Sequence, residues 1–198
     1  NGFRPPPEWS EYAPDFVQRY RDAQIQRVKR IDDHARGLAR EAAEAEKLHG
    51  DEGFTRLPAH EQRQILLREA FEPVLVIYRT MANLHYADHH LDPSDREYGS
   101  LLSDRPDLMN MALTGFARIC TPRAWLSTWS GLSSQADLML TLPQIEEPTL
   151  VVNAGRDREI YPNTDAGPIF EAVAARDRTF HSFPSARHYF EPEFGATR

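Results

Sequence analysis

Asp157 and His188 are the two residues of this chain whose types and spacing suit nucleophilic catalysis. Asp157 closes the run Pro148-Thr-Leu-Val-Val-Asn-Ala-Gly-Arg-Asp157, and His188 follows 31 residues later in Ser185-Ala-Arg-His188-Tyr-Phe190. A carboxylate that accepts from one imidazole nitrogen fixes the tautomer and stabilises the imidazolium. The other nitrogen is then free to take a proton from a nucleophile and return it to a leaving group. An ordinary histidine pKa near ~6.5 serves both steps at neutral pH. Taken singly, the two are an acidic turn residue and a surface histidine. The order strand, acid, helix, strand, histidine makes them a pair. Glu159 stands in reserve as the acid, and Asp165 reads as a helix cap.

The third member of such a triad is a nucleophile on a strand-to-helix elbow. No G-x-S-x-G occurs in the chain, and Thr128-Trp-Ser130-Gly-Leu-Ser-Ser134 lacks the glycine two positions before its serine. The nucleophile is therefore expected from outside these 198 residues. The opening Asn1-Gly2-Phe3, without an initiator methionine, suggests a processed, nicked or trimmed product, or simply a chosen boundary.

The elements that must position the pair form a β-α-β unit. Thr149-Leu-Val-Val152 reads as a buried parallel strand between a proline and a glycine turn. Residues 165 to 175 read as an amphipathic helix with Ile169, Phe170 and Val173 inward, and residues 178 to 183 alternate as a second strand. A two-stranded parallel sheet does not stand alone in water, so further polypeptide must complete it.

The rest of the chain is helical in pattern. Val17, Tyr20, Val28, Ile31, Ala35, Leu38, Ala42 and Ala45 recur near helical spacing over residues 14 to 48, as one long helix or two joined near Gly37. A second helix is expected from Pro58, with Thr55 or a neighbour as cap. It carries Ile65, Leu66, Ala70, Leu75, Ile77 and Tyr78, is kinked at Pro73, and continues through Met81 and Leu84. Shorter helices are expected after Pro106, from Arg123 to Trp129, and from Ser133 or Ser134 through Leu142.

The composition narrows the partners. It is 40% hydrophobic and 27% charged, which fits a soluble globular protein. A net charge of −7 without a basic block argues against nucleic acid. The longest clean apolar run, Val74-Leu-Val-Ile-Tyr78, is far short of a membrane span. The lone Cys120 excludes an internal disulfide and points to a reducing, cytoplasmic setting.

Over residues 143 to 192 the chain resembles the α/β-hydrolase superfamily. The strand Pro-Thr-Leu-Val-Val ends at the small residue Ala154, an aspartate follows at 157, a proline at 162, and the histidine loop is Ser185-Ala-Arg-His188-Tyr-Phe190. The match departs from the commonest form by one extra residue before Pro162, with Gly155 one position late. The resemblance implies an α/β fold, seen in part. A helical cap over residues 1 to 142 precedes the last β-α-β unit, residues 143 to 198, of a mostly parallel sheet completed by another segment. It implies hydrolysis of an ester or related acyl bond of a small or medium organic substrate. Asp157 and His188 would be catalytic, no cofactor would be needed, and a companion chain would carry the nucleophile. Carbon–carbon, epoxide and carbon–halogen chemistry on the same fold, and a non-catalytic binding protein, are the alternatives. The assembled unit could also form a homo-oligomer through the charged face of the long helix.

Two other groups invite a role. Trp125 and Trp129, four apart, and Tyr189 beside the histidine could line a substrate pocket; the tryptophans could equally be core packing of a cap helix. His85 and His89, with His90, Asp88 or Asp92, would make a metal clip if they shared a helix face, or else a polar helix end. No third metal ligand is identifiable from the spacing.

Overall fold

The computed structural model describes residues 2–78, 83–109, 111 and 115–190. Helix and short strands are mixed, and the chain divides into two compact units. One unit holds residues 1–19, 79–112 and 137–198; the other holds residues 20–78 and 113–136. Among the described residues, no helix is long and apolar enough to cross a membrane.

Helix α1 spans Pro14–His49, unbroken through Gly37. Its residues from Tyr20 onward belong to the second unit. There Val28, Ile31, Ala35 and Leu38 form the expected stripe and pack with Leu75, Ile77 and Trp125. Asp32, one position off that stripe and 2% exposed, accepts from Trp125 Nε1 (2.7 Å), Ser130 Oγ (3.0 Å) and Ser133 Oγ (3.0 Å). A carboxylate this deep is tolerable only with such partners.

Helix α2 is Ala59–Ala70, with Pro58 as its N-cap and no side-chain cap from Thr55. The expected continuation to Leu84 does not occur. Pro73 offers no N–H and disfavours a helical residue before it, so the chain leaves α2 at Phe71. The β-branched run that follows becomes strand β1, Leu75–Val76, antiparallel to β2, Ile119–Cys120. Met81 lies outside the described residues. Helix α4, Pro122–Ala124, is capped by Thr121 and opens into a π-helical turn, Trp125–Trp129, close to the expected range. The helix expected from Ser133 or Ser134 begins later. Ser130 Oγ accepts from Leu132 and Ser133 N–H, which holds that stretch as a turn over Asp32.

The first unit holds α3, Pro106–Met109, and α5, Leu138–Thr141, which is capped by Asp137. It also holds the β-α-β unit. Strand β3 is Thr149–Ala154, α6 is Gly167–Ala172 after a π-helical turn at Pro162–Ala166, and β4 is Arg178–Phe183. The strands are parallel, paired from Thr149↔Arg178 to Ala154↔Phe183. The register puts Thr149, Val151 and Asn153 on one face with Arg178, Phe180 and Ser182. That face is partly covered: Val151 packs on Leu142, Val173 and Ala175, and the Phe170 and Phe180 rings meet at 5.4 Å, with Phe180 still 38% exposed. The other face is bare. Leu150, Val152 and Phe183 are 62%, 46% and 45% exposed.

Candidate active site

Asp157 and His188 come together because their loops are laced by backbone. Gly155 N donates to Phe183 O (2.9 Å), Arg156 N to Ala186 O (2.9 Å) and Ala186 N to Phe183 O (3.1 Å). Gly155 permits this approach. A Cβ there would lie 2.7 Å from Pro184 O and 2.8 Å from Pro184 Cα, both main-chain atoms. The glycine that sits one position late in the sequence motif is thus the point where the two loops touch. Gly155→Ala should force them apart, lowering stability by about 1–3 kcal/mol. Thermal unfolding would register that loss, and a proton NMR spectrum would show the downfield Nδ1–H signal of His188 weakened or gone.

The carboxylate of Asp157 is 5% exposed. His188 Nδ1 lies 3.0 Å from its Oδ1 and 2.9 Å from its Oδ2, and Glu159 N–H donates to Oδ1 at 2.8 Å. With an acid that only accepts, Nδ1 carries the proton and Nε2 is the acceptor. His188 remains partly exposed, with 29% of its side chain accessible. The turn behind it closes when Phe190 N donates to Arg187 O (2.9 Å). Phe190 takes φ 52°, left-handed for a bulky residue, while its ring sits edge-on to Phe183. Tyr189, 64% exposed, stands at 4.8 Å from the imidazole in a T-shaped pair.

A second layer locks the acid loop to residues 83–104. Buried Asp92 accepts from Asn163 N (2.9 Å), Asn163 Nδ2 (2.8 Å), Thr164 N (2.8 Å) and Thr164 Oγ1 (3.2 Å). Burial raises its carboxyl, but the Thr164 N–H and the other donors outweigh that and hold it below the ordinary carboxylate value. Arg96 is sandwiched between the Trp9 and Tyr161 rings and donates to the carbonyls of His85, Asp88 and Asp92. Glu97 meets both Arg156 and Arg187, one from each laced loop. Spacing offers no signal for the anchoring carboxylates of this layer, because Asp92 lies 71 residues from Asn163 and Glu97 lies 90 from Arg187.

Glu159, the reserve acid, is spent elsewhere. Tyr86 Oη donates to its Oε2 (2.6 Å) and Leu101 N to its Oε1 (2.7 Å). Asp165 is not the N-cap expected of it: it sits inside the turn Pro162–Ala166, whose N-cap is Tyr161, and its carboxylate reaches back to accept Tyr161 N–H (2.8 Å).

The metal clip fails on geometry. His85 and His89 do not share a helix; they sit in separate 3₁₀ turns, Leu84–Tyr86 and His89–Leu91, capped by Asn83 and Asp88. His85 Nδ1 bonds Asn83 Oδ1 and its ring stacks on Tyr161, while His89 Nε2 bonds Ser94 O (2.7 Å). Among the described residues, no group of three or more His, Cys, Asp or Glu side chains could hold a metal ion.

Trp125 and Trp129 belong to the second unit. Trp125 is core, with its indole N–H on Asp32. Trp129 is 40% exposed and stacks on Phe116.

No protein-family model, no curated protein and no solved structure matches the chain.

Proposed function

We propose that Asp157 and His188 are the acid and the base of a hydrolase of the α/β-hydrolase type. It would cleave an ester or related acyl bond of a small or medium organic substrate, with the nucleophile supplied by a companion polypeptide. The observation that carries this is the two-oxygen contact of Asp157 with His188 Nδ1, made at the carboxyl ends of adjacent parallel strands. Ligands and reacting groups of open parallel sheets gather at those ends.

In this reading Nε2 takes the proton from the companion's hydroxyl as its oxygen attacks the acyl carbon. The same nitrogen then protonates the departing alcohol. Water repeats the sequence on the acyl-enzyme, releasing the carboxylic acid and restoring the nucleophile. Asp157 stabilises the imidazolium at each stage and stays ionised.

The companion is supported by the state of the sheet. Parallel strands are normally covered on both faces, yet Leu150, Val152, Phe180 and Phe183 all stay exposed, and among the described residues β3 and β4 pair only with each other. The bare Leu150, Val152 and Phe183 lie on the same sheet whose strand ends carry the pair.

The test is to purify the chain from its native source and determine the mass and terminal sequence of what accompanies it. A second polypeptide bearing a nucleophile elbow, with ester turnover present in the mixture and absent from the chain alone, is the expected result. A homogeneous chain with no partner and no turnover would remove the reading.

A further inference from the structure

The second unit carries a cleft of about 440 Å³ between α1 and β1 with walls of opposite character. One wall is Arg27, Arg30 and His34, which recur at three- and four-residue spacing and so share a helix face. The rest of the lining is apolar: Ile31, Leu75, Val76, Ile77 and Tyr78, of which Val76 and Tyr78 are more than half exposed.

The ion pairs of α1 lie elsewhere, at Arg19 with Asp15, at Arg36 with Asp32 and Asp33, and at His49 with Glu69. Among the described residues, no carboxylate pairs with Arg27 or Arg30. Arg27 uses one arm of its guanidinium on Tyr78 O. Burial, with the Arg30 charge second, holds its guanidinium below the ordinary value. A third guanidinium, that of Arg118, stands 5.3 Å over the Tyr78 ring and donates to Ile77 O (3.0 Å). In a chain of net charge −7, this is a local concentration of cations beside exposed apolar surface.

We propose that the cleft binds a medium-chain carboxylate, with its head on Arg30 and Arg27 and its alkyl chain along Ile31, Val76 and Tyr78. A guanidinium fork matches a carboxylate in two parallel hydrogen bonds, and among the described residues no carboxylate pairs with that of Arg30. The volume lies within the range of ordinary small-ligand sites. The alkyl chain would cover the side chains that the unit leaves exposed, and this requires neither Asp157 nor His188.

The experiment is isothermal titration of the full chain with octanoate at low salt, beside octanol and inorganic phosphate. Octanoate should bind with a Kd on the order of 10⁻⁴ M. Octanol lacks the head and phosphate lacks the chain, so each should bind about tenfold more weakly or not at all. Arg30→Ala, an exposed residue, should weaken octanoate about tenfold with the melting temperature unchanged. Val76→Asp, on the facing wall, should do the same by placing a like charge against the ligand. Absence of octanoate binding, equal binding of octanol or phosphate, or an Arg30→Ala protein that binds octanoate as the parent does would each overturn the proposal.

Discussion

Replacing His188 with alanine, in the chain assembled with its companion, should lower ester turnover by about 10⁴-fold or more. The members of a triad act as a unit, and loss of the base removes both proton transfers. Asp157→Asn should cost about 10⁴-fold, because an amide facing Nδ1 can donate and so permits the wrong tautomer. Glu159→Gln should cost under about tenfold, because its carboxylate holds Tyr86 and Leu101 and does not touch the imidazole. Steady-state kcat on an activated ester separates the three. If Glu159→Gln matched His188→Ala while Asp157→Asn stayed active, the acid would be misassigned.

The second large effect is on stability. Asp92 is fully buried and takes four hydrogen bonds from Asn163 and Thr164. Asp92→Ala would leave two main-chain N–H groups and an amide without an acceptor. Each such group costs about 1–3 kcal/mol, so a total of about 3 kcal/mol or more is expected at pH 7. The loss also has a pH signature. The folded-state carboxyl is held below its ordinary value of about 3.9, so its contribution is fully present above that value and fades as pH falls through the folded one. Urea unfolding should therefore show a large gap between parent and variant at pH 7 that narrows below about pH 4. A gap that is small at pH 7, or constant with pH, would mean that the Asp92 carboxylate does not anchor the acid loop.

Legibility in the sequence followed the range of the interactions. The strand at Thr149, the strand at Arg178 and the long helix were readable because each depends on apolar periodicity within one segment. Asp157 and His188 were readable because the intervening β-α-β unit brings their two loops to the same end of the sheet. The end of α2 was misread because the apolar run at residues 74–78 suits either period, and only its antiparallel partner at Ile119–Cys120 decides for a strand. The separation of His85 from His89 is not legible in the sequence, because i, i+4 spacing by itself implies a shared helix face. Asn83 and Asp88 instead cap two separate turns, and each ring is engaged in its own contact. Asp32 and Asp92 drew no notice as structural centres. A carboxylate within a charged stretch reads as solvated surface until a Trp125 or a Thr164 from a distant segment is packed against it.

The central claim is that His188, oriented by Asp157, activates a nucleophile on another polypeptide. A fluorophosphonate probe added to the natively assembled protein tests it most directly, with the labelled chain identified by mass. The account predicts covalent label on a serine of the companion, none on this chain, and loss of that label with His188→Ala. Label on a serine of this chain, or companion labelling that proceeds undiminished in the His188→Ala assembly, would contradict it.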